Sequence, residues 1–201
     1  GIGEQAAEQG VRYVEQVSGA RGRRLSGREI GVDVDERVSL RARLATAGTV
    51  MAARLALDNG IACNTAGGSH HARRTQGAGF CTFNDVAVAA QVLLADGEVE
   101  RVLVVDLDVH QGDGTAEICD GNPAIRTVSM HAEKNYPARK KSSGIDVALP
   151  DGTADAAYLE MLDWLLPQTI DGFRPGIVFY NAGVDPHMDD RLGRLNLSDE
   201  G

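Results

Sequence analysis

The chain is poor in the features that would place it in several large protein classes. Its 201 residues hold three cysteines, Cys63, Cys81 and Cys119. An odd number with no CxxC pair excludes a zinc knuckle. It fits small, buried or half-buried thiols in a reducing compartment, so a cytoplasmic protein is expected. Basic residues are outnumbered, with 20 Lys and Arg against 29 Asp and Glu and a net charge of −9. Phosphate binding needs clustered Lys and Arg, so direct contact with nucleic acid is not expected. No apolar run approaches the roughly 18 residues of a membrane span, and no membrane association is expected. Gly1 to Gly10 show no basic region followed by an apolar one, so no signal peptide is read. An initiator Met, internal repeats, low-complexity segments and inter-domain linkers are also missing. What remains is ordinary for a soluble globular protein, 43% hydrophobic and 24% charged, with length for one domain of roughly 100–200 residues.

Along the chain, the stretch to about Asp35 is polar and glycine-rich and reads as one short helix followed by loop, with Arg21 to Arg24 a solvated basic turn. From about Arg37, Leu40, Leu44, Ala47, Met51 and Leu55 recur at helical spacing on one face, and Asn59-Gly60 supplies a stop. A short apolar segment, Ile61 to Asn64, ends in Gly67-Gly68-Ser69-His70-His71 and reads as a strand end. Asn84 can cap the next helix, in which Val86, Ala90, Leu93 and Leu94 share a face. Val102 to Asp106 and Ile125 to Met130 are β-branched runs that predict buried strands. Tyr158, Leu162 and Leu165 mark a helix checked at Pro167, with Trp164 expected in its core, and Ile177 to Tyr180 is another strand. Strands alternating with helices predict an α/β domain with a mainly parallel sheet and helices on both faces.

The polar clusters follow the apolar runs, and in open α/β sheets sites form beyond the carboxyl ends of the strands. Asp106, Asp108 and His110 alternate, so they point the same way while extended geometry lasts. Two carboxylates and an imidazole on one side of a buried strand end are costly unless a positive charge sits among them. A divalent metal meets that need; a solvated turn capped by Asp108 is the plainer alternative. Asp185, after Asn181-Ala182-Gly183-Val184, supplies a third ligand, although Asp185-Pro186 also suits a simple turn. Two carboxylates and a neutral imidazole balance Zn²⁺ and leave a position open for water, as in a catalytic site. Adjacent histidines are usually surface residues, but His70-His71 after a Gly-Gly turn can supply the base and acid that hydrolysis needs. Asp106 and Asp113 can each orient an imidazole. His131 and His187 read as surface residues.

These residues resemble the histone deacetylases and their bacterial relatives. Gly67-Gly68-Ser69-His70-His71-Ala72 and Gly79-Phe80-Cys81-Thr82-Phe83-Asn84-Asp85 are similar to the tandem-histidine segment. Asp106-Leu107-Asp108-Val109-His110-Gln111-Gly112-Asp113-Gly114-Thr115 is similar to the main metal motif. Ala182-Gly183-Val184-Asp185 and Asp190-Arg191-Leu192-Gly193-Arg194-Leu195 are similar to the third-ligand segment. The likeness runs from about Arg37 to Gly201, and Gln111 with Tyr180-Asn181-Ala182-Gly183 is most like the class IV branch. The resemblance implies an arginase/deacetylase α/β three-layer sandwich. It implies zinc on Asp108, His110 and Asp185, with His71 as general base and then acid oriented by Asp113, and His70 as its electrostatic partner held by Asp106. Gly79 and Phe80 would line a tunnel for an acylated lysine of a protein or for an acylpolyamine. A monovalent cation, K⁺, would lie beside the zinc strand on the side chains of Asp106 and Ser129 and on carbonyls of Asp108, His110 and Met130.

One departure has consequences. Family members polarise the amide carbonyl with a Tyr in a Gly-rich loop, and none of Tyr13, Tyr136, Tyr158 and Tyr180 lies in such a loop. A single catalytic domain truncated at both ends is therefore expected, and this segment alone would be inactive or slow, since losing one such donor costs about 10²–10³ in rate. Two rivals stand beside the zinc deacylase. A dinuclear manganese ureohydrolase needs a DxHxD pattern, but Gly112 stands two residues after His110. A non-catalytic relative would bind zinc and acyl-lysine without turnover.

Overall fold

Val102–Asp106 (β1) has four aliphatic residues and an aspartate, all buried. A strand buried on both faces belongs in the middle of a parallel sheet with helical cover. In this computed structural model β1 pairs in parallel with Ile125–Ala132 (β2) on one side and Ile177–Asn181 (β4) on the other. Ile145–Leu149 (β3) adds in parallel to the far side of β2, giving the order β3-β2-β1-β4. Parallel neighbours need crossovers, and helices supply two of them. Asp113–Cys119 (α4) lies between β1 and β2, and Asp155–Phe173 (α5) between β3 and β4. Leu103, Val105, Val128 and Met130 of the sheet form one core with Tyr158, Leu165 and Phe173 of α5. The α/β reading with a parallel sheet holds.

The structure describes residues 11–19 and 30–201, so the Arg21–Arg24 cluster lies outside the described residues. By internal contacts the chain forms two units, Gly1–Val92 and Leu93–Gly201; the sheet belongs to the second. In the first, a helix over 11–18 (α1) and residues 30–34 supply a small core of Tyr13, Val17, Ile30 and Val34. Glu36–Asn59 (α2) starts at the Asp35 cap, whose side chain accepts the Val38 N–H, and stops at Gly60, which has φ +88°, the left-handed end that glycine permits. Asp85–Ala95 (α3) begins after Asn84, whose Oδ1 accepts the Ala87 N–H at 3.0 Å as an N-cap.

Several expectations change. The apolar face of α2 points outward, with Leu44 63% and Met51 62% exposed. Its inward stripe is Ser39, Ala45, Thr49 and Ala53. The buried Asp85 carboxylate needs donors, and α2 turns Thr49 towards it, with Oγ1 to Oδ2 at 2.6 Å. Ile61–Asn64 forms no strand, and Ile61 is exposed. Strand β3 and helix α4 were not expected, one because Asp146 interrupts an apolar edge, the other because Gly112 and Gly114 read as loop. Pro167 does not end α5. Around it, Gln168 Nε2 and Thr169 Oγ1 donate to the carbonyls of Trp164 and Leu165. Trp164 lies one residue off the buried stripe and is 62% exposed. No helix of the described residues is long and apolar enough to cross a membrane.

Candidate metal centre

At the carboxyl edge of the sheet, Asp106 ends β1 and stands in register with Ser129 of β2 and Asn181 of β4. Asp106 and Asn181 are the polar ends of otherwise apolar strands, whereas Ser129 lies within β2. The Asp106 carboxylate is buried and accepts from Asn181 Nδ2 at 2.9 Å and from the Asp108 N–H at 3.2 Å. Strand geometry ends at Asp106, so simple alternation does not carry Asp108 and His110 to a common point. A turn does: Asp108 Oδ1 accepts the His110 N–H at 2.8 Å, a local aspartate-to-backbone bond that folds the chain back on itself. The Asp108 side chain that makes this turn also belongs to the group that could hold a metal.

Asp185 reaches the same point from the loop after β4. His110 Nδ1 lies 3.0 Å from Asp108 Oδ1 and 3.0 Å from Asp185 Oδ2. Asp185 Oδ1 accepts the Val109 N–H at 2.9 Å. One ligand atom from each of Asp108, His110 and Asp185 lies within 4.8 Å of the others, and all three residues are partly buried. Gly183 permits this approach, because a Cβ there would fall 2.5 Å from the Asp108 Cα. Gly183→Ala is expected to push the Asp185 loop off Asp108 and weaken metal binding about 10–100-fold, as loss of a supporting contact does. Calorimetric titration of metal into both proteins checks this.

The electrostatics ask for a cation. Burial alone lowers the His110 pKa, but hydrogen bonds to Asp108 and Asp185, and their charges, outweigh it and raise the group to about 9 from 6.5. Without metal, a proton therefore sits where the two carboxylates converge. That protonation stabilises the metal-free fold fully below pH 6.5, and the contribution is lost as pH rises through about 9. A metal must displace the proton, so zinc affinity is expected to climb about tenfold per pH unit towards pH 9 and then level off. Titrations across that range would show a flat profile if His110 were not a ligand.

Around this group the remaining second-unit residues fall as follows. Asp113 is fully buried in the first turn of α4. Lys140 has its pKa lowered by burial, opposed by the charges of Asp113 and Glu133. Ser129 and Met130 are buried on β2. His131, expected at the surface, is 1% exposed, and its Nδ1 lies 3.0 Å from Ser129 Oγ. Strand β2 is buried on both faces here, which leaves no outward position. Burial, followed by the Lys140 charge, lowers the His131 pKa. His187 is half-exposed and 3.2 Å from Asp199. Gln111 is buried, bridging the Lys141 backbone and Asp146.

In the first unit, His70 and His71 are both 5% exposed, with ring centroids 4.0 Å apart. They are interior residues, unlike most adjacent pairs. Gly79 and Phe80 form a two-residue turn closed by Ala78–Cys81 hydrogen bonds, with φ of +53° and +65°. Glycine is required at 79, since a Cβ would sit 2.5 Å from the His71 ring. Phe80 adopts the left-handed region without that freedom, which costs of order 1–3 kcal/mol, and its ring is exposed. Spacing did not reveal Asn181 and Gly183 as supports of the Asp106–Asp108 turn and the Asp185 loop, nor, in the first unit, Asn84 and Asp85 as supports of the His70–His71 loop. The glycine and the asparagine in Tyr180-Asn181-Ala182-Gly183 were the available signal.

Comparison with known proteins adds ancestry to this geometry. The histone deacetylase domain family matches residues 8–201. An uncharacterised protein of Picosynechococcus is 47% identical over 174 residues, 87% of this chain and 58% of its own length. Histone deacetylase 2 of Arabidopsis thaliana is 34% identical over 171 residues, 84% of this chain and 44% of its own. The chain thus spans about half the length of these relatives. Among solved structures, the HDA15 HD domain superposes with a TM-score of 0.80 at 26% identity, covering 95% of this chain and 61% of that one. The sheet and helices described above are thus of the arginase/deacetylase fold.

Proposed function

Because this chain belongs to the histone deacetylase domain family, we propose that it is the metal-binding part of a zinc-dependent hydrolase that removes acyl groups from lysine side chains or related amines. The observation that carries the reading is the convergence of Asp108 and Asp185 on one nitrogen of His110. The donor set fits zinc, with two carboxylates, one imidazole and no sulfur. When bound there, zinc supplies Lewis acidity that activates water and polarises the acyl carbonyl.

The chain's own residues carry the proton. His71 accepts a proton from water as the water oxygen attacks the acyl carbon. It returns that proton to the nitrogen as the carbon–nitrogen bond breaks, leaving a carboxylic acid and a free amine, between which the second water proton then redistributes. His70 supports the charge on its neighbour, and Asp106 and Asp113 keep the orienting roles that the family gives them. Gly79 and Phe80 line the path of the acyl-bearing chain, and Asp106, Ser129 and Met130 hold a potassium ion. Residues 1–201 belong to a single catalytic domain. Three cysteines, odd in number and with no CxxC pair, favour a reducing, cytoplasmic setting.

A dinuclear manganese centre is disfavoured because the converging group among the described residues is Asp108, His110 and Asp185, without Asp113. The deciding experiment incubates the full natural protein, loaded with zinc, with acylated lysine peptides and acylpolyamines. Hydrolysis that a chelator abolishes supports the reading. Inactivity of the zinc-loaded protein across the panel overturns it in favour of a binding-only relative.

A further inference from the structure

The mechanism leaves two buried polar residues unused, Asn84 and Asp85 at the start of α3. Asn84 is 3% and Asp85 1% exposed. The Asp85 carboxylate accepts the Ser69 N–H at 2.8 Å, the Gly68 N–H at 3.1 Å and the Thr49 hydroxyl at 2.6 Å. Thr49 is itself fixed by Asn64, whose Nδ2 donates to Thr49 Oγ1 at 2.8 Å and to the Ala45 carbonyl at 2.9 Å. The backbone entering His70 is thus tied to a buried charge.

Asn84 acts on the other side of the pair. Its Oδ1 caps α3 through the Ala87 N–H, and its Nδ2 donates to the carbonyls of His70 and Ala72, each at 3.2 Å. Those two carbonyls bracket His71. One amide side chain therefore does two separable jobs, the oxygen serving the helix and the nitrogen serving the histidine loop. The inner side of α3 behind it is fully buried, with Ala87, Ala89 and Ala90 at 0% exposure. A loop clamped to such a helix inherits its rigidity.

We propose that Asn84 and Asp85 are positioning residues for the His70–His71 pair, and that the Asn84 amide nitrogen sets where the His71 imidazole stands. The inference rests on the reading of His71 as the proton carrier. Serine caps a helix as well as asparagine does, so Asn84→Ser keeps the cap and removes the amide nitrogen that bonds the His70 and Ala72 carbonyls. A purely capping residue would tolerate that change without effect.

The test uses the zinc-loaded natural protein and its Asn84→Ser variant. Zinc content and KM are expected to hold and the thermal midpoint to fall by a few degrees, as two buried carbonyls lose a donor, while kcat falls about 10–100-fold, the scale of a small misplacement of a reacting group. A second readout is independent of hydrolysis. Carbethoxylation of His70 and His71 by diethyl pyrocarbonate, mapped by mass spectrometry, is slow in the native protein and rises several-fold in the variant. Unchanged imidazole reactivity overturns the proposal whatever kcat does, and so does raised reactivity with native kcat. If the native protein hydrolyses no acylated amine, the functional reading fails, and the reactivity comparison alone still decides whether Asn84 holds the pair. Asp85→Asn, which puts an amide against the same donors, is expected to raise reactivity further where it folds.

Discussion

Asp185→Ala is expected to lower zinc affinity by more than about 100-fold, beyond the loss usual for a supporting contact, and to abolish hydrolysis with it. Two effects combine. The variant removes one of two carboxylates that balance the ion's charge, and it releases the Val109 N–H that Asp185 Oδ1 accepts, loosening the turn that carries His110. The metal-free protein should respond differently. Asp185 is one of the groups that raise His110 to about 9, so its loss lets the imidazole fall back towards its ordinary value. Calorimetry for the metal and an NMR titration for His110 measure the two halves separately. A variant that still takes up zinc tightly would place the ion elsewhere.

His71→Ala is expected to lower kcat about 10²–10⁴-fold, the range for removal of a general acid–base group, with zinc content unchanged. The contrast with Asp185→Ala matters, because one variant loses the metal and the other keeps it. His71 is buried against Gly79, so the truncation also leaves a small cavity, and the thermal midpoint must be followed alongside. His70→Ala should cost less, since that imidazole supports charge without moving the proton. Steady-state kinetics with parallel metal analysis checks the order. A His70 variant more damaged than the His71 variant would exchange their roles.

The three candidate ligands were legible because they follow apolar runs that read as buried strands, and strand ends bring distant motifs to one edge. The turn at Asp108 and the support from Asn181 and Gly183 were not. They depend on the register of β1 against β4, which spacing along one chain does not carry. Patterning misled where tertiary context chose another face. Leu44 and Met51 mark an apolar helix face that is exposed, while Thr49 on the opposite face bonds the buried Asp85 carboxylate. His131 looked solitary, yet two residues earlier on the same strand Ser129 provides its partner. Strand β3 hid behind Asp146, a polar residue that serves Gln111.

X-ray absorption at the zinc edge of the full natural protein tests the central claim most directly. A single zinc on Asp108, His110 and Asp185 predicts a shell of nitrogen and oxygen at about 2.0–2.2 Å with no sulfur. A sulfur shell at about 2.3 Å, or a metal neighbour at about 3.5–4 Å, would contradict it.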